Sequence, residues 1–233
     1  LSIRDIYNFK IYELEKIIKL LKKLSIKDVC FLGKLQRPNL SKIKIDVILS
    51  KYINQILLNY KKGDGHLLDL VIKIFKAEGF KIKSLKEINC DFFFSKNSKN
   101  FIFKKNLNDL SDIKKGISLL NAISKFDNAQ STIISNGYIL GIEAVEGTDK
   151  LLSRVAIEKN KLGLLDREGV LVKIPKKNKS KLIDMPVIGP RTISFIIKAK
   201  LNGLAIKKEM TIILNKEIVV RLLEQNKLNL YLL

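Results

Sequence analysis

The stretch at residues 169–200 combines cationic side chains, one carboxylate and turn residues in an order that suits phosphate chemistry. An apolar run at 170–172 predicts a short buried strand, and Lys173 and Lys176 place ammonium groups where that strand should end. Asp184 follows as the lone carboxylate of the loop. Ammonium groups bind phosphate oxygens, and a carboxylate beside them can hold a divalent cation that bridges the same oxygens.

A helix is expected directly after this loop. Gly189 and Pro190 mark a turn, and Ile193, Ile196 and Ile197 recur behind them at helical spacing. Pro190 falls in the first helical turn, where its missing N–H costs nothing. A helix N-terminus offers unpaired N–H groups and a partial positive charge, so phosphate is a natural ligand there. An ordinary strand–helix connection with a solvated lysine loop explains the same residues equally well.

A second cluster of polar residues lies at a predicted strand-to-helix junction. Glu143, Glu146 and Asp149 are three carboxylates within seven positions, and oxygen ligands of this kind suit a hard cation. Thr148 or Asp149 in the first turn of the following helix would also serve as its cap, and spacing alone favours that structural role.

Two further residues are candidates for anion or metal contacts. Arg37 falls just beyond the carboxyl end of a strand predicted at 28–32, where open α/β sheets bind ligands. A surface arginine before a turn proline explains it equally well. Asp64 lies close to the start of a helix predicted at 66–78, and capping of that helix is favoured over contact with substrate or metal.

Several of these segments resemble, in the same order, the motifs of one enzyme family. GVLVK at 169–173, the Pro175–Lys176 step and DMPVIGPRT at 184–192 are similar to the signature of the LpxI-type UDP-2,3-diacylglucosamine pyrophosphatases of lipid A biosynthesis. The other matching segments are GKLQRPNL at 33–40, GDGHLL at 63–68, EAVEGTDKLL at 143–152 and LNGLAI at 201–206. The resemblance therefore covers nearly the whole chain.

The resemblance implies hydrolysis of the pyrophosphate of a UDP-diacylglucosamine lipid to UMP and 2,3-diacylglucosamine 1-phosphate, with Mg²⁺ as cofactor. Asp184 would bind the ion or orient the attacking water, and the cationic side chains would stabilise developing charge. The implied catalytic residues are Asp184, Asp149 and Lys173, and the implied metal ligands are Asp184, Glu146 and Asp149. The implied substrate or phosphate contacts are Arg37, Asp64, Thr148, Lys176, Gly189, Arg191 and Thr192.

The sequence departs from the family pattern at two places. Gly65 stands where relatives carry the second residue of an acidic pair. In the loop before Asp184, relatives carry Pro, a Gln–Asp pair and Arg, and this chain has instead Lys177, Lys179, Ser180 and Leu182. Either the surplus lysines substitute for the missing groups, or the activity or substrate has drifted.

The formal net charge of +21 over 233 residues predicts attraction to polyanions. Aromatic residues are only 7% and tryptophan is absent, so no base-stacking surface is expected and no specific nucleic acid is predicted as partner. Loose contact with the inner-membrane surface is expected instead, because each basic residue near anionic lipid contributes about 1 kcal/mol. The alternatives are a non-catalytic anionic-lipid-binding protein and a basic nucleic-acid-binding module, and homo-oligomer formation is left open.

Other chemistries fit the composition less well. His66 is the only histidine and no G-x-S-x-G elbow accompanies it, so serine-hydrolase chemistry is not expected. Cys30 and Cys90 have no metal-ligand spacing and are predicted to be buried free thiols. No apolar run approaches the roughly 20 residues of a spanning helix, and the start of the chain lacks a signal peptide's apolar stretch, so a cytoplasmic protein is expected.

The predicted fold class is α/β with two domains. Residues 1–97 are expected to form a Rossmann-like domain, and residues 98–233 a mixed-sheet α/β domain that carries the catalytic loop. Family relatives carry a further strand–helix segment with a glycine-rich turn before the first residue, so the first domain is expected to be incomplete. In the second domain, Asn136-Gly137 predicts a type I′ hairpin, and Ser111 is expected to cap a helix at 112–126.

Overall fold

A computed structural model describes residues 5–10, 12–33, 47–60, 64–126, 129–164, 166–176 and 185–233. The chain divides into two compact units, Leu1–Leu85 and Lys86–Leu233. Both units mix helices with strands, so the α/β prediction is confirmed. The Rossmann-like character of the first domain and its boundary after residue 97 stay predictions.

The first unit pairs two short strands and packs helices beside them. Its helices are α1 (Leu14–Lys23), α2 (Val47–Tyr60) and α3 (Asp64–Ala77), and its strands are β1 (Asp28–Val29) and β2 (Lys81–Ile82). The two strands are parallel, with Asp28 opposite Lys81. Helix α1 buries Leu14 and Ile18 because these apolar residues repeat at a spacing of four along one face.

The second unit is built on a mixed five-stranded sheet. Its strands are β3 (Ser131–Ser135), β4 (Tyr138–Ile142), β5 (Val170–Lys173), β7 (Gly203–Ile206) and β9 (Asn229–Leu232). Their order is β4-β3-β5-β7-β9, in which β3 runs antiparallel to β4 and β5, whereas β5, β7 and β9 are parallel. Strands β6 (Val187–Ile188) and β8 (Ile212–Ile213) form a separate parallel pair.

Helices cover both faces of this sheet. After a short α4 (Leu85–Ile88), the helices are α5 (Asp109–Ile123), α6 (Thr148–Lys161), α7 (Pro190–Lys198) and α8 (Lys216–Gln225). Strand side chains alternate, so Leu171 packs in the cluster with α6, α7 and α8, whereas Val172 packs in the cluster with α5. Helix α5 approaches β5 closely at Gly116, where an added Cβ would lie 2.7 Å from Val172 Cγ2.

The predicted hairpin is confirmed. Asn136 has φ 49° and Gly137 has φ 80°, which are the two positive values that a type I′ turn requires. The carboxylate of Asp112 holds this turn by accepting the backbone N–H of Asn136 at 2.8 Å and that of Gly137 at 2.7 Å.

The expected cap of α5 is wrong. The helix begins at Asp109, and Ser111 lies inside it, where its hydroxyl donates to the carbonyl of Asn108 at 3.0 Å. Asp109 is 1% exposed and accepts hydrogen bonds from Tyr231 and Asn202, which are distant in sequence. These tertiary contacts extend the helix beyond the start that the local capping signal indicates.

Neither cysteine is in a disulfide, as predicted, but Cys30 is only partly buried. Cys90 is exposed, contrary to expectation, because it opens a short 3-10 turn whose following residues, Phe93 and Phe94, turn into the core. In the part of the chain that the structure describes, no helix has the length and apolar content needed to cross a bilayer.

Candidate active site

Four elements bring polar side chains to one edge of the five-stranded sheet. Strand β5 ends at Lys173, and its antiparallel neighbour β3 begins at Ser131, directly opposite. Strand β4 ends at Ile142 on this same edge, and α6 begins a short turn later at Thr148. Ligands of open α/β sheets bind outside the carboxyl ends of the strands, which is where these residues meet.

Lys173, Thr148 and Glu143 form a continuous hydrogen-bonded network at this edge. The ammonium of Lys173 donates to the hydroxyl oxygen of Thr148, which in turn donates to Glu143 Oε1 at 3.0 Å. The hydroxyl of Ser131 donates to Glu143 Oε2 at 2.8 Å. Because an ammonium can only donate, the proton of Thr148 is directed to Glu143. The network therefore fixes the position of a lysine that is only 6% exposed.

Asp149 and Arg191 join the first turns of two helices. Arg191 Nε lies 3.0 Å from Asp149 Oδ2, and the hydroxyl of Thr192 donates to Asp149 Oδ1 at 3.3 Å. Asp149 is in the first turn of α6, and both of its partners are in the first turn of α7. The two helix N-termini, each with amides that lack intrahelical acceptors and a partial positive charge, are thus neighbours.

Neither Thr148 nor Asp149 acts as a side-chain cap of α6. The N-cap residue is Gly147, with φ 83°, and no side-chain hydrogen bond closes this end. Thr148 and Asp149 occupy the first two helical positions, where their side chains make the tertiary contacts described above. The capping role that spacing favours is therefore wrong at this junction.

Glu146, a predicted metal ligand, makes a different contact. Its carboxylate accepts a hydrogen bond from Arg154 at 3.2 Å. A hydrogen bond from its own backbone N–H and the neighbouring Arg154 lower the pKa of Glu146 below its ordinary value. Within the described ranges, no group of three or more His, Cys, Asp or Glu side chains is arranged to hold a metal ion. The role of Glu146 and Asp149 as metal ligands stays a prediction.

The remaining predicted site residues are placed as follows. Two predicted site residues lie outside the described residues, namely Arg37 and Asp184. So do the four loop residues that differ from the family pattern, which are Lys177, Lys179, Ser180 and Leu182. Asp64 is the first residue of α3, and its side chain is likewise outside the described set. Lys176 is partly exposed three residues beyond Lys173. Gly189 is the N-cap of α7 in an extended conformation, and Pro190 occupies the first helical turn, as predicted.

Sequence reasoning missed two members of the network. Glu143 belongs to the acidic junction, but nothing in its spacing indicated that it would join Thr148 and Ser131. Ser131 is a strand residue with no local signal. It reaches the site because β3 lies antiparallel beside β5, which places Ser131 opposite Lys173. Only the order of the strands within the sheet could have indicated it.

Comparison with known proteins agrees with the family motifs. The model of the LpxI N-terminal domain matches residues 2–92, and the model of the LpxI C-terminal domain matches residues 99–231. The chain is 30% identical over 210 residues to the UDP-2,3-diacylglucosamine pyrophosphatase LpxI of Caulobacter vibrioides. This alignment covers 89% of the chain and 75% of the relative. The family resemblance is therefore confirmed, and the chain belongs to the LpxI family.

Proposed function

We propose that this protein hydrolyses the pyrophosphate of UDP-2,3-diacylglucosamine to UMP and 2,3-diacylglucosamine 1-phosphate. The observation that carries the proposal is the meeting of Lys173 and Thr148, beside Asp149 and Arg191, at the carboxyl edge of the sheet. These residues come from separate segments of the family motifs. Their convergence provides cationic groups and hydroxyls for a phosphate-bearing ligand.

The pyrophosphate is proposed to bind where the N-termini of α6 and α7 adjoin. The amides of the first helical turns and the guanidinium of Arg191, whose side chain is 79% exposed, supply positive charge toward the phosphate oxygens. Lys173 is the second cation, held at the end of β5. Negative charge that develops on the phosphates during hydrolysis is stabilised by these preorganised groups.

Thr148 and Glu143 are proposed to position Lys173. Both oxygens of the Glu143 carboxylate accept hydroxyl protons, one of them from Thr148. The lone pairs of the Thr148 hydroxyl oxygen are therefore available to accept a hydrogen bond from Lys173. This arrangement localises the ammonium through the hydroxyl of Thr148. A positively charged group that is fixed before the substrate arrives stabilises the transition state without further reorganisation.

We further propose that Asp184 and Asp149 act with Mg²⁺. A bound Mg²⁺ would neutralise pyrophosphate oxygens and help generate the attacking hydroxide. Asp184 is proposed to bind the ion or orient the attacking water, and Arg37, Asp64, Lys176 and Gly189 are proposed substrate contacts. The support for the metal is the family motif and the donor chemistry of carboxylates. The described carboxylates alone do not make up a ligand set.

The protein is proposed to act in the cytoplasm, in loose contact with the inner-membrane surface. The support is the net charge of +21, which favours anionic lipid, together with the lipid nature of the proposed substrate. No specific nucleic acid partner is proposed.

The test is incubation of the purified chain with radiolabelled UDP-2,3-diacylglucosamine in detergent micelles, with Mg²⁺ or with a chelator. We expect UMP and the lipid 1-phosphate as products only when Mg²⁺ is present. The matched variant is Asp184→Ala, which should bind the intact lipid yet turn over about a hundredfold more slowly, the scale of one lost acid–base group.

Substrate binding without products would favour the non-catalytic lipid-binding alternative. Tight DNA binding that survives physiological salt would favour the nucleic-acid module, because affinity that rests only on phosphate contacts falls steeply with salt. Near-parental turnover by Asp184→Ala would refute the role of that residue.

A further inference from the structure

One surface of the second unit combines large exposed apolar side chains with lysines. It consists of Ile102, Phe103, Lys104, Lys105, Leu107, Leu110, Lys114, Lys115 and Tyr138, here called the basic-apolar surface. Leu107 is 85% exposed and Tyr138 is 76% exposed. Contiguous exposed apolar groups mark interaction sites more often than scattered ones do. The segment at 102–115 and the hairpin tip adjoin, because Asn108 Nδ2 donates to Asn136 Oδ1 at 2.8 Å.

Buried polar side chains hold this surface in one shape. Asn229, 1% exposed, accepts the backbone N–H of Phe103 at 2.9 Å and that of Lys104 at 3.2 Å. Its amide nitrogen donates to the carbonyl of Lys104 at 2.7 Å. Asp109 then accepts the hydroxyl of Tyr231 at 2.6 Å. The conformation of this loop is thus fixed by groups that belong to the core of the domain.

In the segment at 102–115 the carboxylates are buried and the lysines are exposed. Its two carboxylates, Asp109 and Asp112, are each 1% exposed and accept hydrogen bonds from buried partners or from the hairpin turn. Its four lysines are all exposed. The face presented to solvent is consequently basic as well as apolar, although the segment at 102–115 contains both signs of charge.

We propose that the basic-apolar surface docks the protein on an anionic lipid bilayer. Aromatic and aliphatic side chains beside lysines are the composition that enters the boundary between headgroups and acyl chains. A second copy of the chain fits less well, because an isologous interface would bring lysines against lysines. This inference rests on the proposed function, which includes contact with the inner-membrane surface, and it identifies the residues that make the contact.

Docking through this surface is separate from the reaction site. Asn229 opens β9, so the basic-apolar surface lies toward the amino ends of the parallel strands, whereas Lys173 lies at the carboxyl end of β5. Loss of docking should therefore leave turnover of detergent-dispersed substrate unchanged. This separation allows the docking proposal and the enzymatic proposal to fail independently.

The experiment is co-sedimentation of the full chain with substrate-free vesicles of phosphatidylcholine, or of phosphatidylcholine mixed with phosphatidylglycerol. Two paired variants remove either the apolar groups, Leu107→Ser with Leu110→Ser, or the charges, Lys104→Gln with Lys105→Gln. Each paired variant should partition into the anionic vesicles about tenfold or more weakly than the parental protein. Added salt should also weaken the partitioning of the parental protein into these vesicles. The matched controls are Leu162→Ser, at a leucine 70% exposed, and Lys161→Gln, both at the end of α6, which packs on the sheet face opposite α5.

Parental binding to anionic vesicles, lost in both paired variants and retained in both controls, supports the proposal. Equal loss in the controls, or no loss in the paired variants, overturns it. A parental dimer that the leucine pair dissociates in light scattering would also overturn it, in favour of a second copy. Hydrolysis in detergent micelles is measured on the same preparations, and absence of hydrolysis in the parental protein would count against the proposed function while leaving the vesicle result valid.

Discussion

The guanidinium Nε of Arg191 lies 3.0 Å from Oδ2 of Asp149, and this contact joins the first turns of α7 and α6. Arg191 is largely exposed, so the pair contributes no more than about 1 kcal/mol to stability. The first turn of a helix is also where an anion gains most from the helix dipole. The pair therefore adds little to the stability of the fold, and it lies at the two adjoining helix ends where the pyrophosphate is proposed to bind.

Asp149→Asn tests this proposal. The substitution keeps the shape of the side chain but removes the charge, so the free energy of unfolding should change by less than about 1 kcal/mol. Turnover of the UDP-lipid should fall by about tenfold or more. Thermal melts and steady-state kinetics measure the two quantities, and Glu158→Gln, which removes the Lys161 partner later in α6, is the matched control. A lower melting point with parental turnover would show that Asp149 is structural.

Glu143→Gln tests the orientation of Thr148. A glutamine amide offers one acceptor and one donor group, so it cannot accept both the Thr148 and the Ser131 protons as the carboxylate does. We expect kcat to fall about tenfold or more with KM nearly unchanged, because the substrate charge is still attracted while Lys173 is less well placed. A fall in stability alone, with parental kcat, would contradict a positioning role.

Parts of the fold follow from local sequence. The Asn136-Gly137 turn was predictable because few dipeptides accept two positive φ values. Helix α7 was predictable because Pro190 marks its first turn and its buried residues Ile193 and Ile196 recur at helical spacing. The start of α5 was not, because Asp109 is held in the helix by Tyr231, which is far away in sequence.

The candidate site likewise has residues that the sequence indicated and contacts that only the fold determines. The family motifs indicated Lys173, Thr148, Asp149, Arg191 and Thr192, and each of them contacts another member of this set. Motifs do not indicate which members touch. The contact between Lys173 and Thr148 depends on α6 starting beside the end of β5, and that follows from the strand order. Ser131 carries no motif and depends wholly on the antiparallel register.

Two buried lysines provide a matched pair of substitutions. Lys159, in α6, is 4% exposed and donates to three backbone carbonyls, those of Asp166, Glu168 and Lys200, at 3.3, 3.2 and 2.9 Å. Lys159→Met leaves these acceptors without their cation and should cost about 3 kcal/mol of stability, with turnover retained below the melting point.

Lys173→Met should affect turnover more than stability, the reverse of what is expected for Lys159→Met. It removes a cation that the proposed mechanism uses, so turnover should fall about a hundredfold. Urea unfolding and initial rates on both variants make the comparison. Equal rates for the two variants would refute the assignment of Lys173 to the site.

The buried pair of Tyr231 and Asp109 predicts a specific dependence of stability on pH. Burial, together with the hydrogen bond to Asp109, raises the pKa of Tyr231 well above its ordinary value. The stabilisation is therefore fully present below the unfolded pKa of about 10, and it is lost as the pH rises beyond that value, because only the unfolded state then releases the proton.

Tyr231→Phe should cost about 1–3 kcal/mol of stability at neutral pH, since Asp109 loses a close hydrogen-bond donor. The variant should also lose less stability at alkaline pH than the parental protein does. Urea unfolding of the parental protein and the variant at neutral pH and above about pH 10 measures both effects. An alkaline loss of equal size in the two proteins would mean that Tyr231 ionises as easily in the folded state as in the unfolded one.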